Sequence, residues 1–264
     1  MLTYPSIDPI AVSLGPLKIH WYGLMYVFGF SAAWLLARYR AKTINLSHEQ
    51  IDDLIFYVAL GCVIGGRVGF MLFYNFTGFI HDPLSLFKIW QGGMSFHGGL
   101  LGAFIVQILL ARRHGLGLFD LTDFVGPLVP IGLFLGRIGN FINGELWGRI
   151  TDVPWAMVFP RAGSQPRHPS QLYEAFLEGI VLFIIMWLYT RKPRPRMAPT
   201  GLALFLYGSF RFIVEFIREP DGYVDFLYFD WVTIGQALSL PMILIGALLI
   251  VLAYKRQSRH AAVS

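Results

Sequence analysis

Arg211, Glu215 and Arg218 stand at i, i+4 and i+7, a spacing that puts all three on one face of a helix. Glu215 can neutralise either arginine, and an anion can then take the place left at the other. Arginine suits a phosphate, because its planar fork donates two parallel hydrogen bonds and stays charged. A second dense feature is the run Gly136-Arg137-Ile138-Gly139-Asn140-Phe141-Ile142-Asn143-Gly144-Glu145-Leu146-Trp147-Gly148. Its glycines permit unusual backbone angles and close approach, and Arg137, Asn140, Asn143 and Glu145 are set between them. Such a run fits a helix that unwinds where irregular backbone lines a cavity. A third is Met94-Ser95-Phe96-His97-Gly98-Gly99, with a titratable ring beside two glycines. Histidine is the usual general base near neutral pH, although a structural role fits His97 equally well. Tyr22, in His20-Trp21-Tyr22-Gly23, sits where Trp and Tyr commonly anchor a helix at a membrane interface.

These residues need a scaffold, and composition names its class. Of 264 residues, 55% are hydrophobic and only 14% charged, against about 25% charged in a soluble globule. The formal charge of +5 is no nucleic-acid signal, because Lys and Arg cluster at the ends of apolar runs, as topology markers do. The single cysteine, Cys62, excludes an intrachain disulfide and a cysteine-based metal site; in its apolar stretch it reads as a small hydrophobe. The histidines show no His-x-x-x-His or His-Glu-x-x-His pairing, so no metal is expected, and no cofactor. Neither a Gly-x-Ser-x-Gly elbow nor a phosphate-binding Gly-x-x-x-x-Gly-Lys loop occurs. The first eighteen residues lack the pattern of a cleaved signal peptide.

With roughly 20 apolar residues needed per crossing, about seven segments qualify: 19–37, 54–74, 94–111, 118–136, 172–189, 201–217 and 232–254. Basic residues follow the odd-numbered segments: Arg38, Arg40 and Lys42; Arg112 and Arg113; Arg191, Lys192, Arg194 and Arg196; Lys255, Arg256 and Arg259. The positive-inside rule puts these ends in the cytoplasm, hence the N-terminus outside and the C-terminus inside. The expectation is an all-α polytopic membrane protein forming one domain over 1–264. An outer arm (76–93) and an outer head segment (144–170) complete it, neither large enough for a core of its own. Charge within a bilayer is costly and marks function. Arg67, Arg137, Arg211 and His97 all fall in the outer half, which predicts one shared polar cavity. Gly66-Arg67-Val68-Gly69 echoes Gly136-Arg137-Ile138-Gly139, too briefly to establish a duplication.

At 136–148 the pattern Gly-Arg-x-Gly-Asn-Phe-x-Asn-x-Glu resembles the signature of the prolipoprotein diacylglyceryl transferases. Stretches 20–23, 65–75, 92–99, 167–174 and 211–218 are similar to further blocks of that family, in its order. The resemblance runs from about residue 5 to 255, with no departure at the motif positions. It implies a seven-span enzyme of the bacterial inner membrane with a periplasmic arm and head. The donor would be phosphatidylglycerol and the acceptor the lipobox cysteine of a preprolipoprotein signal peptide. A diacylglyceryl thioether would form and glycerol phosphate would leave, as the first step of lipoprotein maturation. Within that reading His97 is the base, while Arg137 and Arg211 stabilise charge on the departing phosphate. Asn140, Asn143, Glu145 and Gly148, with Glu215 and Arg218, shape the headgroup pocket, and Tyr22 touches lipid or acceptor. The opposite assignment also fits: an arginine lowers the thiol's pKa while His97 positions the lipid.

Two other classes compete. An anion transporter would continue its polar residues through the inner half of the bundle, which is mainly apolar beyond Asp120 and Asp123. A phospholipase-like hydrolase would need the serine or metal machinery that the sequence lacks.

Overall fold

The computed structural model describes residues 2–88, 90, 92–219 and 232–261. In chain order it contains strands β1 (Ile10–Leu14) and β2 (Leu17–His20), then helices α1 (Trp21–Arg40), α2 (His48–Phe73), α3 (Phe76–His81) and α4 (Phe96–Arg113). There follow α5 (Leu118–Val125), α6 (Val129–Asn143), α7 (Ser170–Tyr189), α8 (Ala198–Val214) and α9 (Ile234–Ala261). The protein is a mostly helical, polytopic membrane protein. Helices α2, α7 and α9 are each long and apolar enough to cross a bilayer, and α5 with α6 forms a fourth candidate, interrupted at 126–128. The expectation of an all-α chain omits one element: β1 and β2 pair antiparallel, with Ser13 opposite Lys18. Their turn runs through Gly15 at φ +60°, a conformation glycine adopts without strain.

The chain divides into two compact units, 34–122 and 1–33 with 123–264. In the first, Ser47 and Gln50 start α2 with a capping box, Gln50 N donating to Ser47 Oγ at 3.2 Å and Ser47 N to Gln50 Oε1 at 2.9 Å. Helices α2 and α4 then meet through glycines. Gly61, Gly65 and Gly69 recur every fourth residue on α2, facing Gly98 and Gly102 on α4. A Cβ at Gly65 would lie 2.3 Å from the Gly98 carbonyl oxygen, and one at Gly102 only 2.1 Å from that of Gly61. This is the small-residue packing by which membrane helices bring their backbones together.

In the second unit the end of α6, all of α7 and the end of α8 converge, and the chain between α6 and α7 closes over a small core. Phe159 is fully buried there with Tyr4 and Met157, packed by Phe141 and Trp147. Gly144 ends α6 in the left-handed region at φ +60°, and a Cβ there would stand 3.1 Å from the Tyr4 hydroxyl. Along α9, Leu244, Leu248 and Val251 form an exposed apolar stripe, the surface that acyl chains cover in a bilayer.

Candidate active site

Helix α7 supplies the foundation. Ser170 Oγ donates to the Leu146 carbonyl at 2.9 Å and Gln171 Nε2 to that of Glu145 at 2.6 Å. The first turn of α7 therefore holds the irregular backbone that follows α6, where Leu146 has φ +57°. One turn on, Glu174 and Glu178 point the same way, both with fully buried side chains. The helix is a π turn over Ala175–Val181, a feature common at functional sites.

Three guanidiniums meet these carboxylates. Arg137 Nη2, from α6, lies 3.3 Å from Glu174 Oε1 and 3.5 Å from Glu178 Oε2. Arg211, from α8, places Nη1 on Glu174 Oε1 and Nη2 2.8 Å from Glu215 Oε2. Arg218 reaches Glu174 Oε1 at 4.0 Å and Glu215 Oε1 at 3.8 Å. Thr233 Oγ1 also donates to Glu215 Oε1, at 3.0 Å. Three arginines thus face three glutamates, a balanced count that makes such a cluster tolerable in a medium where lone charges are not. Depth separates the two signs. The carboxylates are at most 3% exposed, whereas the side chains of Arg137 and Arg211 keep 17% and 15%. Carboxylates lie behind and guanidiniums in front.

The two leading arginines differ. Arg211 engages a carboxylate with each terminal nitrogen. Arg137 engages with Nη2 alone, leaving Nε and Nη1 without partners among the described residues. Those N–H groups can receive an anion without breaking an existing bond.

Beside them, Asn140 and Asn143 both donate their amides to Glu145 Oε1, at 2.9 and 3.1 Å, so this carboxylate is held by neutral donors. Gly148 N donates to the His168 carbonyl at 2.8 Å, and Arg149 N to that of Ile217 at 2.8 Å. A Cβ on Gly148 would fall 2.6 Å from His168 Cβ, which is why glycine stands there. The ring of Tyr22 lies against Gly139, and its hydroxyl is 3.2 Å from that of Tyr26. The structure therefore brings Tyr22, Arg137, Asn140, Asn143, Glu145, Gly148, Arg211, Glu215 and Arg218 into one unit.

Regular helix α8 stops at Val214 and the chain continues as turns, with Arg218 N donating to the Val214 carbonyl at 3.0 Å; Arg218 thus stays beside Glu215 and also bridges to Gly148. Arg67 spends its donors on backbone of its own unit. Its guanidinium, 4% exposed, directs every N–H at a backbone carbonyl: Nε at Leu86 (3.1 Å), Nη2 at Ser85 (2.5 Å) and Lys88 (3.0 Å), Nη1 at Gly93 (3.0 Å) and Gly92. All five donors are used, and the arm is thereby fixed to α2. Next to it Ser95 N donates to the Gly66 carbonyl at 2.9 Å, so the entry of α4, which carries His97, is attached to the same turn. His97 is exposed, with Phe96 as its only ring contact among the described residues.

Sequence reasoning missed Glu174 and Glu178 as members of the site. The signal existed: two glutamates at i and i+4 inside an apolar span. Among the described residues no group of three or more His, Cys, Asp or Glu could hold a metal ion.

The sequence profile of the prolipoprotein diacylglyceryl transferases matches residues 9–252. A phosphatidylglycerol–prolipoprotein diacylglyceryl transferase of Methylococcus capsulatus is 60% identical over 261 residues, 98% of this chain and 100% of its own. The enzyme of that name from Coxiella burnetii is 58% identical over 261 residues, with the same coverage. That from Pseudomonas aeruginosa is 56% identical over 260, covering 98% of each chain. With the match spanning all the elements that build the arginine–glutamate cluster, the chain belongs to the prolipoprotein diacylglyceryl transferase family.

Proposed function

We propose that the protein transfers the sn-1,2-diacylglyceryl group of phosphatidylglycerol to the lipobox cysteine thiol of a preprolipoprotein. The curated relatives carry the names of this donor and this acceptor. One observation carries the chemical assignment: Arg137 presents unpartnered N–H groups in front of buried carboxylates that hold its other nitrogen. The thiol sulfur attacks the terminal glyceryl carbon, the S–C bond forms and the C–O bond to phosphorus breaks. Glycerol phosphate departs with the electron pair. Charge grows on the departing phosphate, and preorganised donors at Arg137, with Arg211 beside it, stabilise that charge more than the ground state. His97 takes the thiol proton. Asn140, Asn143, Glu145 and Gly148 shape the headgroup pocket, Glu215 and Arg218 complete its charge, and Tyr22 borders it. The nucleophile belongs to the substrate, so no acyl-enzyme arises.

The chain acts as one catalytic unit of the bacterial inner membrane. It has seven spans, with the N-terminus outside, the C-terminus in the cytoplasm and the site toward the periplasm. The arm over 76–93 and the head over 144–170 lie on that outer side. Basic residues at alternate segment ends support this orientation. A signal peptide crossing the membrane presents its cysteine near the same leaflet.

The test is purified enzyme with phosphatidylglycerol and a lipobox peptide, comparing the intact protein with His97→Ala, Arg137→Ala and Arg211→Ala. The expected result is glycerol phosphate release with a peptide mass gain of one diacylglyceryl group, lost in the folded variants. An intact enzyme that transfers nothing across a range of lipids and detergents overturns the proposal.

A further inference from the structure

The reaction changes the charge that the site must hold. Phosphatidylglycerol presents a phosphodiester with one negative charge. The glycerol phosphate left behind is a phosphomonoester whose second ionisation lies near pH 6 (pKa about 6), so at neutral pH it is largely a dianion. Against these stands a cluster of three guanidiniums (Arg137, Arg211 and Arg218) and three carboxylates (Glu174, Glu178 and Glu215).

The carboxylates are not equivalent. Glu174 touches all three arginines through one oxygen, and Glu215 is shared by Arg211, Arg218 and Thr233. Glu178 has one cationic partner among the described residues, Arg137 at 3.5 Å. Its side chain is fully buried, and it stands behind Arg137, whose Nε and Nη1 have no partner among the described residues. Its charge is therefore less consumed by local pairing than the others, and it is felt most by whatever binds Arg137. In a poorly screened interior one unit charge several ångströms away acts twice as strongly on a dianion as on a monoanion.

We infer that Glu178, acting through Arg137, sets the preference of the site for a singly charged phosphodiester over a doubly charged phosphomonoester, and so promotes release of the product. This rests on the reading in which Arg137 receives the phosphate. Glu178 touches no reacting atom; it is a specificity-determining residue held one layer behind the ligand.

The test measures binding of glycerol phosphate and of glycerophosphoglycerol, a diester, by titration calorimetry to the intact enzyme, to Glu178→Gln and to Arg137→Ala, at pH 8 and pH 5. At pH 8 the intact enzyme binds the diester at least as tightly as the monoester. Glu178→Gln shifts that ratio toward the monoester by about tenfold, the order expected for one partly screened unit charge. At pH 5, where both compounds are monoanions, the ratios of the two proteins converge. A folded Glu178→Gln enzyme with an unchanged ratio at pH 8 overturns the inference while leaving the phosphate at Arg137. Unchanged binding of both compounds to Arg137→Ala overturns the underlying reading instead. Should Glu178→Gln not fold, the intact enzyme decides: relative to the diester, the monoester must bind more tightly at pH 5 than at pH 8, and the reverse order refutes the inference.

Discussion

Tyr4 donates its hydroxyl to the carbonyl oxygen of Phe141 at 2.6 Å, across 137 residues of chain, and comes within 3.1 Å of that of Ile142. These carbonyls belong to the last turn of α6, beyond which no helix continues; that of Phe141 also accepts from Gly144 N at 3.0 Å. The N-terminal segment therefore closes the end of the helix that carries Arg137 and Asn140. Replacing Tyr4 with Phe keeps the ring in the Phe159 core and removes only the donor. A loss of about 1 kcal/mol is expected, read as a fall of a few degrees in the melting temperature. An unchanged melting temperature means that water serves those carbonyls equally well.

Arg137 and Arg211 should respond differently to the same conservative change. Arg137→Lys removes the open N–H groups but only one paired nitrogen, so turnover falls by roughly a hundredfold or more, as when one oxyanion donor is lost, with little change in stability. Arg211→Lys breaks a clamp between two buried carboxylates, so the protein also loses on the order of 3 kcal/mol. Parallel turnover and thermal-melt measurements separate the two, and equal stability losses count against the asymmetry.

His168 gives the head segment a pH dependence with a defined sign. Partial burial holds its imidazole pKa below the ordinary value of 6.5, while Nδ1 lies 3.1 Å from the Tyr173 hydroxyl. As pH falls, the unfolded chain takes up the proton first, so this contribution is complete above pH 6.5 and declines below it. Melting temperatures from pH 8 to pH 5 should fall more steeply in the native protein than in His168→Gln. Identical slopes would assign the acid sensitivity elsewhere.

The clamp at Arg67 predicts a local effect. Lysine offers three donors where arginine offers five, so Arg67→Lys leaves at least two of the carbonyls of Ser85, Leu86, Lys88, Gly92 and Gly93 without theirs. The cost is about 2–3 kcal/mol. Hydrogen exchange should rise in the arm and the start of α4, and much less in α9. A uniform rise would show that Arg67 supports the fold at large.

Gly65 and Gly132 form a contrasting pair. A Cβ at Gly65 meets backbone at 2.3 Å, while one at Gly132 meets nothing within 4 Å. Gly65→Ala should force α2 and α4 apart and cost about 1–3 kcal/mol or more. Gly132→Ala should be neutral or slightly stabilising through helix propensity. Comparing folded yields and melting temperatures in one detergent checks both at once.

What the sequence made legible follows from how each signal is encoded. Apolar length and terminal arginines are local properties, so helices cover most of each segment expected to cross the bilayer, although 118–136 is divided between two helices and three or four of the helices are long and apolar enough to span. The run from Gly136 to Gly148 is also local, and its break at Gly144 is where α6 ends. Pairing is not local. Arg67, Arg137 and Arg211 look alike as single charges in apolar surroundings, yet one is surrounded by carbonyls and the other two by carboxylates. Glu174 sits in a stretch that reads as an ordinary helix start, and only the fold reveals that one of its oxygens serves three arginines. The hairpin over 10–20 was hidden for a different reason, since strands of five and four residues are too short for an alternating pattern to stand out.

The π turn in α7 gives the cluster a vulnerability that side-chain substitution does not explore. Between Glu174 and Glu178 the helix carries a wider loop of backbone than regular α-geometry uses. Were Ala175–Val181 to close into ordinary α-turns at unchanged length, α7 would be a better helix by every local criterion. Four α steps advance by about 400°, more than four steps of the wider turn, so Glu178 would swing around the axis relative to Glu174 and away from Arg137. The bundle would keep its apolar length and its span while losing the charge arrangement. In this family member the width of the α7 turn is itself a constraint, and a tidier helix is the wrong one.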